Sequence, residues 1–183
     1  MLPWSRTWLR ILFTCVRNHA RFYDDQKASA SGTVKVIGFR CTKDSISWAV
    51  VEGAQRIDTV VIERQVATAP HDTREMQLAW VAKEVREILT KFTPSGAAIL
   101  AAGGARGGLT DSLVQRIEVD GVVRSVLGEC SIPAKSVKKQ SICTEFGVKR
   151  SEIDNLLADI SCISTTPKTH QEPVILAVSQ VQQ

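Results

Sequence analysis

Two stretches of this chain carry residue types that could hold an anion. The first is Gly103-Gly104-Ala105-Arg106-Gly107-Gly108, which follows an apolar run and precedes a helical pattern. Its glycines let the backbone approach a ligand closely, and free N–H groups beside Arg106 would suit a phosphate or a carboxylate. It is not a Walker loop, because no Gly-Lys-Ser/Thr follows, and it is not GxGxxG. A tight connection needing positive φ is the plainer explanation of the same glycines. The second stretch holds Lys135, Lys138, Lys139, Lys149 and Arg150 in a 16-residue window whose only acid is Glu145. On a shared face these five would contact phosphates; on separate faces they are solvated helix charges. Phe146 is the only aromatic nearby, so stacking on bases is poorly supported.

Other chemistry is largely excluded. The five cysteines, Cys15, Cys41, Cys130, Cys143 and Cys162, include no CxxC pair, and His19, His71 and His170 are widely scattered. A zinc site does not follow from such spacing, and the thiols read as reduced and mostly buried in a cytoplasmic protein. No GxSxG elbow is present. Glu63, Glu118 and Asp120 match no metal spacing and read as surface charge, while Trp48 and Trp80 read as core.

The chain has 183 residues, 44% apolar and 23% charged, which suits one soluble domain and excludes a fibrous repeat or a wholly disordered chain. No run approaches the ~18 apolar residues of a membrane span. The net charge is +4, but residues 1–33 hold five basic residues against two acids, leaving only +1 for the remaining 150 residues. A nucleic-acid reading of the charge is therefore weakened for the globular part. Residues 1–23 mix arginines with Trp4, Trp8, Leu9, Ile11, Leu12, Phe13 and Val16. Their apolar core is too short for a secretory signal. A basic amphipathic helix on a membrane or a partner and an appendage without a packed role both remain open. The polar run Asp24–Thr33 reads as a linker. Residues 1–32 are thus expected to be a basic extension, disordered or partly helical, and 33–183 the folded domain.

From Val34 the pattern predicts strands over Val34–Arg40, Ile46–Glu52 and Ile57–Arg64, joined by short turns as an antiparallel meander. Leu78, Val81, Val85, Ile88 and Phe92 then step at helical spacing over 73–92, with Asp72 and Glu75 as a capping box. Ala97–Ala102 suits a central parallel strand. A helix over Asp111–Leu127, a strand over Ala134–Val137, a helix from near Lys138 and a short helix from Ser151 to Ile160 follow. A terminal helix is expected over Glu172–Val181, with Pro173 in its first turn. Meander first and βα units afterwards indicate one mixed five-stranded α/β sheet with helices on both faces.

Those elements, in that order, resemble the RNase H-like superfamily. VKVIGFRCTKDSISWAVVE is similar to its first hairpin, PSGAAILAAGG to its fourth strand, GVVRSVLGECSIPAKSVKKQSI to the helix, fifth strand and next helix, and HQEPVILAVSQ to its last helix. The resemblance spans residues 34–181. It is specifically to the RuvC resolvase branch and a small bacterial family of RNase H-like proteins. It implies a cluster of carboxylates holding two Mg²⁺ ions for phosphodiester cleavage. Carried over position by position, the first acid falls on Arg40 and the second on Ala101, while the last helix offers only Glu172. A cation at the first position opposes metal binding, and one glutamate cannot hold two hard cations.

The resemblance therefore implies a degenerate nuclease site, a pseudo-nuclease in which Arg40 and Glu172 pair. It implies no cofactor, and weak nucleic-acid binding or a protein partner, a second copy included. Two alternatives stand beside it. One is a divergent Mg²⁺-dependent nuclease using Glu172 with Glu63 and Asp44. The other is a phosphate or small-molecule site at the glycine loop formed by Gly103, Gly104, Arg106, Gly107 and Gly108.

Overall fold

The computed structural model describes residues 32–70, 72–103 and 110–182. The extension expected over 1–32 therefore lies, but for Gly32, outside the described residues, as do Gly104, Arg106, Gly107 and Gly108. Strands β1 (Val34–Cys41), β2 (Ser45–Gly53) and β3 (Val60–Thr68) form an antiparallel meander. Strand β4 (Gly96–Leu100) lies parallel to β1, and β5 (Ala134–Val137) parallel to β4. The order in the five-stranded sheet is β3-β2-β1-β4-β5. Helices α1 (Arg74–Phe92) and α2 (Asp111–Glu129) are followed, after β5, by a 3-10 turn at Lys139–Ser141. Helices α3 (Ile142–Phe146), α4 (Ile153–Asp159), α5 (Ser161–Ser164) and α6 (Lys168–Ser179) complete the chain. No described helix is long and apolar enough to cross a membrane.

Alternation along β1 divides the core in two, because successive side chains of a strand point to opposite faces. Ile37, Phe39 and Cys41 pack with Ile46, Trp48 and Val50 of β2 against Val81, Val85 and Ile88 of α1 and Val119, Val123 and Val126 of α2. Val36 joins Ala49 and Val51 against Val174, Ala177 and Val178 of α6. Gly38 and Arg40 share that second face: α6 crosses β1 with its backbone directly over Gly38, and Glu172 meets Arg40.

Several boundaries differ from the sequence pattern: β3 runs on to Thr68 rather than ending at Arg64, β4 ends at Leu100 rather than Ala102, and three starts or caps move. The third strand begins at Val60 rather than Ile57, because residues 55–59 are held in a turn by Gln55 O, which accepts from Asp58 N–H and Thr59 Oγ1. Thr73, not Asp72, is the N-cap of α1; it is extended, and its carbonyl accepts from Gln77 N–H at 3.0 Å. The last helix starts at Lys168, so Pro173 lies inside it rather than in its first turn. The proline removes one N–H, whose partner would have been the carbonyl of exposed Thr169, where water can serve it.

Candidate anion site at the carboxyl edge of the sheet

The chain builds outward from β1 to β2 and β3, then returns through α1 to place β4 on β1's other side. The direction of winding therefore reverses between β1 and β4, and a crevice at the carboxyl ends of such strands is where open α/β sheets take ligands. Four elements send charged side chains there. Arg40 comes from the end of β1, Arg116 from the second turn of α2, Lys139 from the turn after β5, and Glu172 from α6.

Glu172 is the hub. Its Oε2 lies 2.7 Å from Arg40 Nε, and its Oε1 accepts from Lys139 Nζ at 2.8 Å. The pairing of Arg40 with Glu172 expected from the sequence is thus present. Arg116 extends one Nη toward the last carbonyl of β4, Leu100 O at 3.4 Å, and the next one, Ala101 O at 3.5 Å, while its buried Nε has no hydrogen-bond partner among the described residues. Partial burial pushes the Glu172 carboxyl upward. The Lys139 hydrogen bond and the Arg40, Lys139 and Arg116 charges outweigh that effect and hold it below the usual carboxylate range. Three cations around one carboxylate leave the edge with a local excess of two positive charges.

A carboxyl whose folded pKa is depressed stabilises the fold above its unfolded pKa and loses that contribution as pH falls through the folded value. Glu172 is a quarter exposed, so its pairs are worth about 1 kcal/mol in total. Melting temperatures of the wild type and Glu172→Gln should differ at pH 6, and the difference should shrink only as pH falls below the ordinary carboxylate range. A constant difference across that range would show that the carboxylate charge is not what stabilises the helix there.

On β4, the residue level with Arg40 and on its face is Leu100, since the register pairs Phe39 with Ile99 and Leu100 packs with Leu176 of α6. Ala101 lies one residue past the strand. The residues present do not fit a pair of divalent cations: hard metals need several oxygen ligands, and here an arginine and a leucine flank one already paired glutamate. The other carboxylates named for a divergent site are not gathered. Glu63 pairs with Lys91 at 2.7 Å on the edge strand, and Asp44 accepts from Thr42 Oγ1 at 3.1 Å in the β1–β2 turn. Glu118 and Asp120 are also paired, with Arg74 and Arg124. No group of three or more His, Cys, Asp or Glu side chains suited to a metal occurs among the described residues.

The lysine-rich window is divided by β5. Lys135 lies near the strand's start and pairs with Glu145, whereas Lys138 and Lys139 lie just beyond its carboxyl end. Lys149 and Arg150 are exposed between α3 and α4. Phe146 is buried beneath the Arg56 guanidinium and offers no face to a base. Of the glycine loop, only Gly103 is described; it is exposed, with open space where a Cβ would stand. The neighbouring thiol, Cys41, is inert: burial, helped by the Asp120 charge, pushes it up to about 12 against the opposing Arg116 and Arg124. Among the four described cysteines, Cys41 and Cys162 are buried, Cys143 is half-buried and Cys130 is exposed, so the thiols are less uniformly buried than their residue type suggests. Arg116 escaped the sequence reading. Its only signal is position, one turn into a helix whose start must face the end of β4.

The fold is RNase H-like. The chain is similar to Thermus thermophilus RuvC in complex with a Holliday junction substrate, at 14% identity and a TM-score of 0.64, over 80% of this chain and 91% of that one. A second T. thermophilus RuvC structure matches at 15% identity and a TM-score of 0.64, over 79% and 92% of the two chains. The yeast mitochondrial Holliday junction resolvase Ydc2 matches at 10% identity and a TM-score of 0.54, over 82% and 78%. No protein-family model and no curated protein sequence matches the chain.

Proposed function

We propose that this chain is a non-catalytic RNase H-like module that binds nucleic acid. The observation that carries this reading is Arg40, ion-paired to Glu172 at the strand end where the resemblance would place the first metal-binding acid. A guanidinium there supplies positive charge where a nuclease of this fold would use bound Mg²⁺. Support for the ligand class comes from the fold alone, one similar structure being of RuvC with a Holliday junction. Binding is weak, in the non-specific range of roughly 10⁻⁴–10⁻⁶ M at physiological salt, because a phosphate-driven interaction scales with the cations available and the domain has few in excess.

Labelled single strands, duplexes and four-way junctions incubated with the full chain and Mg²⁺ or Mn²⁺ should remain intact while shifting in mobility at low salt. Specific cleavage that disappears in Glu172→Ala would overturn the reading. Absence of any binding at low salt would move it to a protein partner. For that partner, the exposed Val60, Ile62 and Val66 on edge strand β3 offer an apolar surface among the described residues.

A further inference from the structure

We propose that Arg40, Arg116 and Lys139 form a metal-independent site for a phosphodiester group, with Glu172 as the internal anion that holds the three cations together in its absence. The inference rests on the nucleic-acid reading above and adds where and how the phosphate is taken.

Charge balance is the first argument. Both oxygens of Glu172 are engaged, one by Arg40 and the other by Lys139, yet the three cations exceed it by two charges. One phosphodiester contributes a single negative charge and would reduce that excess. The second argument is unused donor capacity. Arg40 reaches Glu172 through Nε, and among the described residues its two Nη groups have no hydrogen-bond partner. Those groups form the fork that grips two phosphate oxygens at once. Lys139 spends one of three N–H donors on Glu172 and is largely exposed. Among the described residues, Arg116 holds only the long carbonyl contacts at 3.4 and 3.5 Å and keeps a buried Nε with no partner. A guanidinium has five donors, so an arriving anion offers Arg116 shorter, charge-assisted bonds than the fold does.

Location is the third argument. The cluster sits at the carboxyl edge of the sheet where the winding reverses between β1 and β4, and Glu172, already paired twice, is the carboxylate that an anion meets among the three cations. In a metal-dependent site the protein supplies negative charge and the ions reverse it. Here the positive charge is covalently fixed, and the phosphate needs no ion as intermediary. It follows that binding is insensitive to chelators and that Glu172 weakens it.

The test measures fluorescence anisotropy of a labelled single-stranded oligonucleotide with the full chain in EDTA, over a salt series. Wild-type chain binds in EDTA, and added Mg²⁺ does not tighten the complex. The triple variant Arg40→Gln/Arg116→Gln/Lys139→Gln binds at least tenfold more weakly at low salt, with the slope of log K against log salt reduced by about 2. Glu172→Gln binds severalfold more tightly, a gain that misfolding would not produce. Lys83→Gln, an exposed cation on α1 away from the edge, leaves affinity unchanged within about twofold.

If the wild type binds but the triple variant matches it, the site is refuted while the nucleic-acid reading stands, and the phosphate contacts lie elsewhere. Complete dependence of binding on Mg²⁺ refutes metal independence. If no nucleic acid binds, thermal shift with inorganic phosphate and pyrophosphate decides the rest. Stabilisation of the wild type but not of the triple variant upholds the cluster as an oxyanion site and overturns its nucleic-acid source, and no stabilisation overturns both.

Discussion

Replacing Gly38 by alanine will destabilise the domain by about 3 kcal/mol or more. For about 150 folded residues that is a fall in melting temperature of roughly 6–12 °C. A Cβ built on Gly38 would lie 2.0 Å from Pro173 O and 2.9 Å from Ala177 N, both backbone atoms of α6. No rotamer change relieves such a clash, so either the helix lifts from the sheet or the strand bends. The sign separates this account from a generic one, because glycine is a poor strand residue and alanine in open space would be neutral or stabilising by up to about 1 kcal/mol. Gly121 in α2, whose added Cβ would meet nothing within 4 Å, supplies that comparison, and Gly121→Ala should raise the melting temperature slightly. Equal behaviour of the two variants would mean that α6 does not press on β1. The consequence reaches the candidate site, since lifting α6 separates Glu172 from Arg40.

The same crossing explains which parts of the fold were legible in the sequence. β1 and β2 announce themselves because buried strands must fill both faces with apolar or small side chains, and their observed bounds agree to within a residue or so with the pattern. β3 misleads because it is an edge strand. Ile57 and Val60 look like strand core but are about half exposed, and Ile57 sits in a turn whose hydrogen bonds run to Gln55 O. Pro173 misleads for a related reason. Local preference puts proline in a first turn, but the close approach to Gly38 fixes the helix by packing, and the missing N–H is lost at an exposed carbonyl.

At the site, Arg40 and Glu172 were legible through their positions in matching elements. On β4 the register with β1 sets Leu100, one residue before Ala101, level with Arg40 and on its face, a placement that the sequence pattern alone does not settle. Sequence proximity across a strand does not by itself place charges together: Lys135 lies near the start of β5 against Glu145, whereas Lys138 and Lys139 lie beyond its carboxyl end. Arg116 joined the site through tertiary placement alone.

Removing the Arg56 side chain will cost about 2–3 kcal/mol, close to the Gly38 effect but by loss of contacts rather than by clash. Arg56 donates from Nε to Val181 O and from one Nη to Glu145 O and Ser179 O, each at 3.0 Å, and its guanidinium carbon lies 4.9 Å from the Phe146 ring centroid. Partial burial lowers its pKa and the Glu145 charge opposes that shift, so the group stays charged at neutral pH. One side chain thus serves the last turn of α6, the chain beyond it and the end of α3. Arg56→Ala leaves three carbonyls without that donor and Phe146 without its cover. Arg56→Lys restores the charge but not the fork that reaches several carbonyls at once, and should recover less than half of the loss. Hydrogen exchange locates the damage: amides of Val174–Ser179 should exchange faster in Arg56→Ala before those of β1 and β2 do, because the pin acts on one end of the helix. Gly38 fixes how closely α6 sits on the sheet, and Arg56 fixes where its far end stops. Together they set the angle at which Glu172 meets Arg40 and Lys139, so uniform acceleration across sheet and helix would show that apolar burial alone places the carboxylate.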